Sequence, residues 1–120
     1  MFNYRIRKVN ASGYISTVAG NGNGGFSGDG GLATAATVFG TEDVAVDAHG
    51  NLYIADSYNS RVRVVNRSGI IETFAGSGNF GYNGDGLAAT QTNLYPTGLA
   101  TRSSTVYVSD TDSYRVRKIH

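Results

Sequence analysis

Cysteine and tryptophan are absent from these 120 residues and proline occurs once. Without cysteine there is no disulfide framework, no thiol nucleophile and no thiolate zinc site, while the compartment stays open because secreted proteins can also lack it. Charge of one sign is missing too. Ten Lys and Arg against nine Asp and Glu leave a formal +1, too little to gather nucleic acid or an acidic membrane surface. No apolar run approaches the roughly 18 residues of a spanning helix, so membrane insertion is not expected. The first ten residues, with three basic side chains among Tyr4, Ile6 and Val9, do not read as a signal peptide. Only His49 and His120 offer imidazoles, which speaks against a histidine-built metal centre.

Glycine is what the chain has in excess, with 17 of 120 residues. A single proline and no three-residue period exclude collagen, and a 40% hydrophobic content with eight Tyr and five Phe argues against disorder. The glycines belong to a repeat. Tyr4-Arg-Ile-Arg-Lys-Val-Asn10 returns as Ser60-Arg-Val-Arg-Val-Val-Asn66 and as Tyr114-Arg-Val-Arg-Lys-Ile-His120. Ser12-Gly-Tyr-Ile-Ser-Thr-Val-Ala-Gly20 returns as Ser68-Gly-Ile-Ile-Glu-Thr-Phe-Ala-Gly76, and Gly25-Phe-Ser-Gly-Asp-Gly30 as Gly81-Tyr-Asn-Gly-Asp-Gly86, both at an offset of 56. Twelve of the glycines fall in the two matching stretches Gly20 to Gly31 and Gly76 to Gly86.

Within one period, Asp43 to Asp47, Leu52 to Asp56, Arg61 to Asn66 and Ile70 to Ala75 are short runs rich in β-branched and aromatic residues, bounded by turn formers. They predict four strands. His49-Gly50-Asn51 and Arg67-Ser68-Gly69 read as hairpin turns, and Leu32 to Thr37 has room for one helical turn. Four antiparallel strands in about 55 residues make one β-propeller blade. The fold class expected is therefore all-β, with about two blades plus a partial one. Naming the strands A to D from the inside out, residues 1–20 hold C and D of a first partial blade, 43–76 a complete blade, and 97–120 strands A to C of a last one. Residues 20–42 and 76–96 are glycine-rich inter-blade loops.

The runs VAVDAHGNLYIADSYNSRVRVVNRSGIIETFAG and GLATRSSTVYVSDTDSYRVRKIH resemble the NHL-repeat β-propeller family, in a long-loop variety carrying Gly-Phe-Ser-Gly-Asp-Gly. The second copy shortens Asp47-Ala-His-Gly-Asn51 to Arg102-Ser-Ser-Thr105 and lacks a counterpart of Asn59. The resemblance implies a six-bladed ring, of which this chain makes part, and an extracellular or cell-surface setting.

Charged residues at repeated positions read as architecture. Asp56 with Arg61, and Asp110 with Arg115, are expected to tether the loop between strands B and C, because catalysis needs one asymmetric constellation. Arg5 and Arg7, Arg61 and Arg63, and Arg115 and Arg117 each share one strand face and form a ladder that ends in a solvated rim or in pairing with acids; nucleic acid is not the expected partner. In the loops, Asp29, Asn83 and Asp85 are candidate oxygen ligands for a metal, though the spacing misses the twelve-residue calcium loop. Phe26, Ser27, Tyr82 and Asn83 are candidate loop contacts. Asn10-Ala-Ser12 and Asn66-Arg-Ser68 are glycosylation acceptor triplets in one repeated turn. No nucleotide site is read from Gly22-Asn-Gly24, which lacks the strand-to-helix context, and no cofactor is expected.

The function expected is a non-catalytic scaffold that offers loops to a protein or glycan, self-associates as a homo-oligomer or belongs to a longer repeat protein. A channel-metal lyase or hydrolase and an RNA-binding module are the alternatives.

Overall fold

The computed structural model describes residues 3–120; Met1 and Phe2, counted above into the first partial blade, lie outside the described residues. Among the described residues, nine strands form three antiparallel sheets. β1 (Ile6–Val9) pairs with β2 (Ile15–Ala19). β3 (Thr41–Val46), β4 (Leu52–Asp56), β5 (Arg61–Val65) and β6 (Ile71–Ala75) make a four-stranded sheet. β7 (Pro96–Arg102), β8 (Thr105–Asp110) and β9 (Arg115–Ile119) make a three-stranded one. Each strand pairs with its neighbour in sequence, the meander of a propeller blade. β3 begins two residues earlier than its alternation suggests, because a bulge between Thr41 and Asp43 carries the pairing on to Asp56.

The core lies between sheets, not within one. Along β4, Ile54 faces Ala19, Ala33 and Ala36 on the side of the first sheet, while Tyr53 faces Leu94, Val106 and Val108 on the side of the third. Alternate residues of one strand thus reach two different cores, and β4 is buried over Tyr53 to Asp56. The second and third sheets are also bonded directly: Leu99 N–H donates to Asp43 Oδ2 at 2.8 Å, Thr101 Oγ1 to the Val46 carbonyl at 2.9 Å, and Ser57 Oγ to the Pro96 carbonyl.

The expected single turn after Leu32 is a 3₁₀ turn at Ala33–Ala35, matched by Ala89–Gln91 in the second loop. Further 3₁₀ turns, Ser57–Asn59 and Thr111–Ser113, link strands B and C. Each ends on a left-handed residue, Ser60 or Tyr114.

Asp47 organises the turn between β3 and β4. Its carboxylate accepts from Asn51 Nδ2 at 3.0 Å, from the backbone N–H of Asn51 and His49, and from Tyr53 Oη at 3.1 Å. The Asn51 bond leads in lowering its pKa to about 2. A carboxyl held below its unfolded value adds stability that is complete above that value and is lost as pH falls through the folded one. The window here runs from about 3.8 down to about 2. Asp47→Asn is expected to flatten the acid side of the stability profile within that window, measured by urea midpoints at successive pH values, and to leave the profile above pH 5 parallel to that of the parent.

Candidate binding face

The glycine-rich loops have a clear structural role. After Gly25 the first loop crosses the face of β5, and Arg63, fully buried, is held there by all five of its N–H donors. Nη1 donates to Asp56 Oδ2 at 3.0 Å and to the Thr37 carbonyl at 3.2 Å. Nη2 donates to Asp29 Oδ1 and the Ser27 carbonyl, both at 2.9 Å, and Nε reaches Asp29 Oδ1 at 3.2 Å. Asp29 Oδ2 in turn accepts from Thr73 Oγ1 of β6 at 2.5 Å. The loop is a clasp that ties strands B, C and D of one blade together.

This geometry corrects the expected ion pairs. Asp56 pairs with Arg63, not Arg61, and Asp110 pairs with Arg117 at 2.9 Å, not Arg115. Arg61 and Arg115, at the mouths of their strands, still hold the turn between strands B and C, donating to the Asn59 carbonyl at 3.3 Å and the Ser113 carbonyl at 3.0 Å, and each guanidinium covers an aromatic ring, Phe26 at 3.7 Å and Tyr82 at 3.8 Å from the ring centroid. Burial pushes the Asp56 carboxyl up, against the Phe39 N–H, Asn59 and Arg63, which stabilise its charge. Asn59 Nδ2 donates to Asp56 Oδ2 and to the Gly25 carbonyl at 2.9 and 2.8 Å, the contact that the second copy lacks.

The remaining loop candidates, Ser27 and Asn83, are exposed and bond within their own loops. Ser27 Oγ bonds Thr37, and Asn83 bonds Gln91 and the Asn93 N–H. Asp29 and Asp85 each face an arginine, and among the described residues no group of three or more His, Asp or Glu is arranged to hold a metal ion. Of the arginine ladder, Arg63 is enclosed and Arg117 nearly so, leaving Arg5, Arg7 and Arg115 exposed. Asn10 and Asn66 are exposed, and each closes its turn through Oδ1, which accepts two backbone N–H groups.

A row of aromatic rings extends beyond the repeated blade motif. At the end of the blades where β4 passes into β5, rings line up across the sheets: Tyr4 and Phe39 lie 5.8 Å apart between centroids, Phe39 and Tyr58 5.2 Å edge to face, and Tyr58 and Tyr95 6.4 Å and nearly parallel. Phe39 and Tyr95 occupy one repeat position, just before strand A. Tyr58 is half exposed and its ring lies on Gly40, where a Cβ would come within 2.4 Å of it. Beside the row, the Thr97 and Thr111 hydroxyls meet at 2.5 Å. Burial raises the Tyr95 pKa, with the charges of Glu42 and Asp112 adding to it. The signal in the sequence was the 56-residue offset between two aromatics, hidden because neither lies inside the blade motif.

Three sheets, packed face to face and clasped by inter-blade loops, define a section of a β-propeller built from NHL-type blades. Residues 22–94 match the model of the teneurin NHL domain, and the chain belongs to that family. No curated protein matches the sequence. Among solved structures, the chain is similar to a protein of unknown function from Bacteroides thetaiotaomicron (TM-score 0.81, 22% identity, 98% of this chain and 30% of that one). It is also similar to an auxiliary nutrient binding protein from Bacteroides ovatus (TM-score 0.70, 24% identity, 99% and 33%). A further Bacteroides thetaiotaomicron protein, provisionally named a phosphatase, is similar with a TM-score of 0.71 and 21% identity over 98% of this chain and 30% of that one. The chain spans about a third of the length of these structures.

Proposed function

We propose that the chain is a non-catalytic, extracellular or cell-surface scaffold that binds a glycan across the aromatic row, within a propeller completed by further copies of the chain or by further repeats of a longer one. The row carries the reading. Tyrosine faces spaced along one rim, with hydroxyls and the carboxylates of Glu42 and Asp112 near them, suit the flat C–H faces and ring hydroxyls of a sugar. The name of the nutrient binding relative from Bacteroides ovatus is in keeping with it. That the motif charges are spent on one another supports a non-catalytic role, since Asp56, Asp110, Arg63 and Arg117 are already bonded partners.

Titration calorimetry against a panel of neutral oligosaccharides tests the reading. Tyr58→Ala is expected to weaken a binding oligosaccharide about tenfold, a loss of about 1.4 kcal/mol, while Phe26→Ala, at the clasp, leaves affinity unchanged. Equal affinity in the Tyr58 variant removes the row from the site.

A further inference from the structure

Asparagine stands directly before glycine three times, at Asn21-Gly22, Asn23-Gly24 and Asn83-Gly84, always in the glycine-rich loops. In such a pair the glycine nitrogen has no Cβ beside it to crowd its approach to the preceding carboxamide. The fold separates the three, because that approach needs a carboxamide free to turn. Asn21 is fastened at both ends: Nδ2 donates to the Ala35 carbonyl at 3.3 Å and Oδ1 accepts from the Asn23 N–H at 2.9 Å. Asn83 is fastened likewise, with Nδ2 donating to the Gln91 carbonyl at 3.1 Å and Oδ1 accepting from the Asn93 N–H at 2.8 Å. Asn23 is exposed, and neither its carboxamide nor the Gly24 N–H makes a hydrogen bond among the described residues. The position is open with a whole blade in front of it. Asn79, its repeat counterpart after the complete blade, is also exposed with an unbonded carboxamide, but Phe80 follows it in place of glycine.

We infer that Asn23 is a site of self-modification, at which the carboxamide becomes a carboxylate without an enzyme. The Gly24 nitrogen gives its proton to solvent and attacks Asn23 Cγ. The N–Cγ bond forms, the Cγ–Nδ2 bond breaks, and the amide nitrogen takes up a proton and leaves as ammonia. Water then opens the succinimide ring at either carbonyl, leaving aspartate or its isoaspartyl isomer, so one water is consumed for each ammonia released. Asn21 and Asn83 must first give up two hydrogen bonds each. At Asn83 the product would also set a carboxylate oxygen against the Gln91 carbonyl that Nδ2 now meets.

The modified residue adjoins the aromatic row. A Cβ on Gly24 would come within 2.9 Å of Tyr4 Cε1 and 3.1 Å of Phe39 Cδ1, so the loop backbone at this point lies against both rings. The product puts a negative charge at the Tyr4 end of the row and takes the formal charge of the chain from +1 to zero. The isoaspartyl form also lengthens the loop backbone by one carbon, because the chain then runs through the side chain of Asn23.

Folded protein held at mildly alkaline pH, and the same protein unfolded in urea, are digested at intervals and sequenced by tandem mass spectrometry, which tells Asn21 from Asn23 within one peptide. In the folded protein Asn23 is expected to gain acid about tenfold faster than Asn21 or Asn83, the factor set by hydrogen bonds that must break first. In urea the three rates should converge, since each asparagine then has only its following glycine to decide the rate. A fastened asparagine that matches Asn23 in the folded protein overturns the inference, and so does an Asn23 that stays an amide in the fold while the unfolded chain converts it. Anion exchange gives the second reading. Asn23→Gln, whose longer side chain disfavours the ring, should remove the acidic species that accumulates in the parent; its persistence at the parental rate overturns the assignment. Neither measurement uses a ligand, so the outcome is independent of the oligosaccharide titration.

Discussion

Arg63→Ala is expected to destabilise the fold by about 3–5 kcal/mol, the cost of leaving a buried carboxylate without its partner. That is a large share of the roughly 5–15 kcal/mol that holds an ordinary domain together. The carboxylate at risk is Asp56, which is fully buried and would keep only Phe39 N–H and Asn59 as donors. Loss of the guanidinium also frees the loop, since Ser27, Asp29 and Thr37 are all held through it. Arg63→Lys should recover little, because one ammonium on a longer stem cannot span Asp29 and Asp56 while also meeting two carbonyls. Arg117→Ala provides the control. Asp85 is largely in water, so only the Asp110 half of that clasp is left stranded, and the loss should be clearly smaller. Urea unfolding of the three variants checks the ranking; equal losses at Arg63 and Arg117 would mean that the clasp is not what holds the blade.

Gly76→Ala is expected to cost about 3 kcal/mol or more, because it adds left-handed strain to overpacking against backbone. Gly76 has φ +100, and a Cβ there would lie 2.3 Å from the Ser60 carbonyl oxygen and 2.8 Å from Arg61 Cα. Neither atom belongs to a flexible side chain, so strand C would have to shift. Gly20, its repeat partner, meets the Tyr4 carbonyl oxygen at 2.2 Å in the same way. Gly69→Ala separates the two effects: φ is +82 but nothing lies within 4 Å, so only the backbone strain of about 1–2 kcal/mol should appear. Thermal midpoints of the two variants, taken side by side, give the difference, and equal shifts would show that the close approach carries no cost.

The blade could be read from the sequence because its signals are local. Strands such as Leu52 to Asp56 declare themselves by β-branched and aromatic content between turn residues, and the 56-residue offset multiplies each signal by its copy. Pairing of side chains was less legible. Asp56 and Arg61 are cross-strand partners in register, and five residues of separation made them the natural ion pair. Yet Arg63, one step along the same face, takes the carboxylate, while Arg61 turns to a ring contributed by a loop 35 positions earlier in the chain. Nothing in the spacing of the arginines states which of them the loop will cover.

The aromatic row was harder still. Tyr4, Phe39, Tyr58 and Tyr95 come from a strand mouth, two loop ends and a turn, and no local periodicity links positions brought together by the stacking of separate sheets. The sequence by itself determined the repeat, the four-strand blade, and the placement of glycine in two matching loops, since each follows from propensity and turn chemistry within a few residues. Only the tertiary structure decided which arginine is buried, that the loops clasp the blade, and that rings from three sheets meet along one rim. Those outcomes depend on how one sheet lies against the next, and that packing is set by the combined burial of residues far apart in the chain.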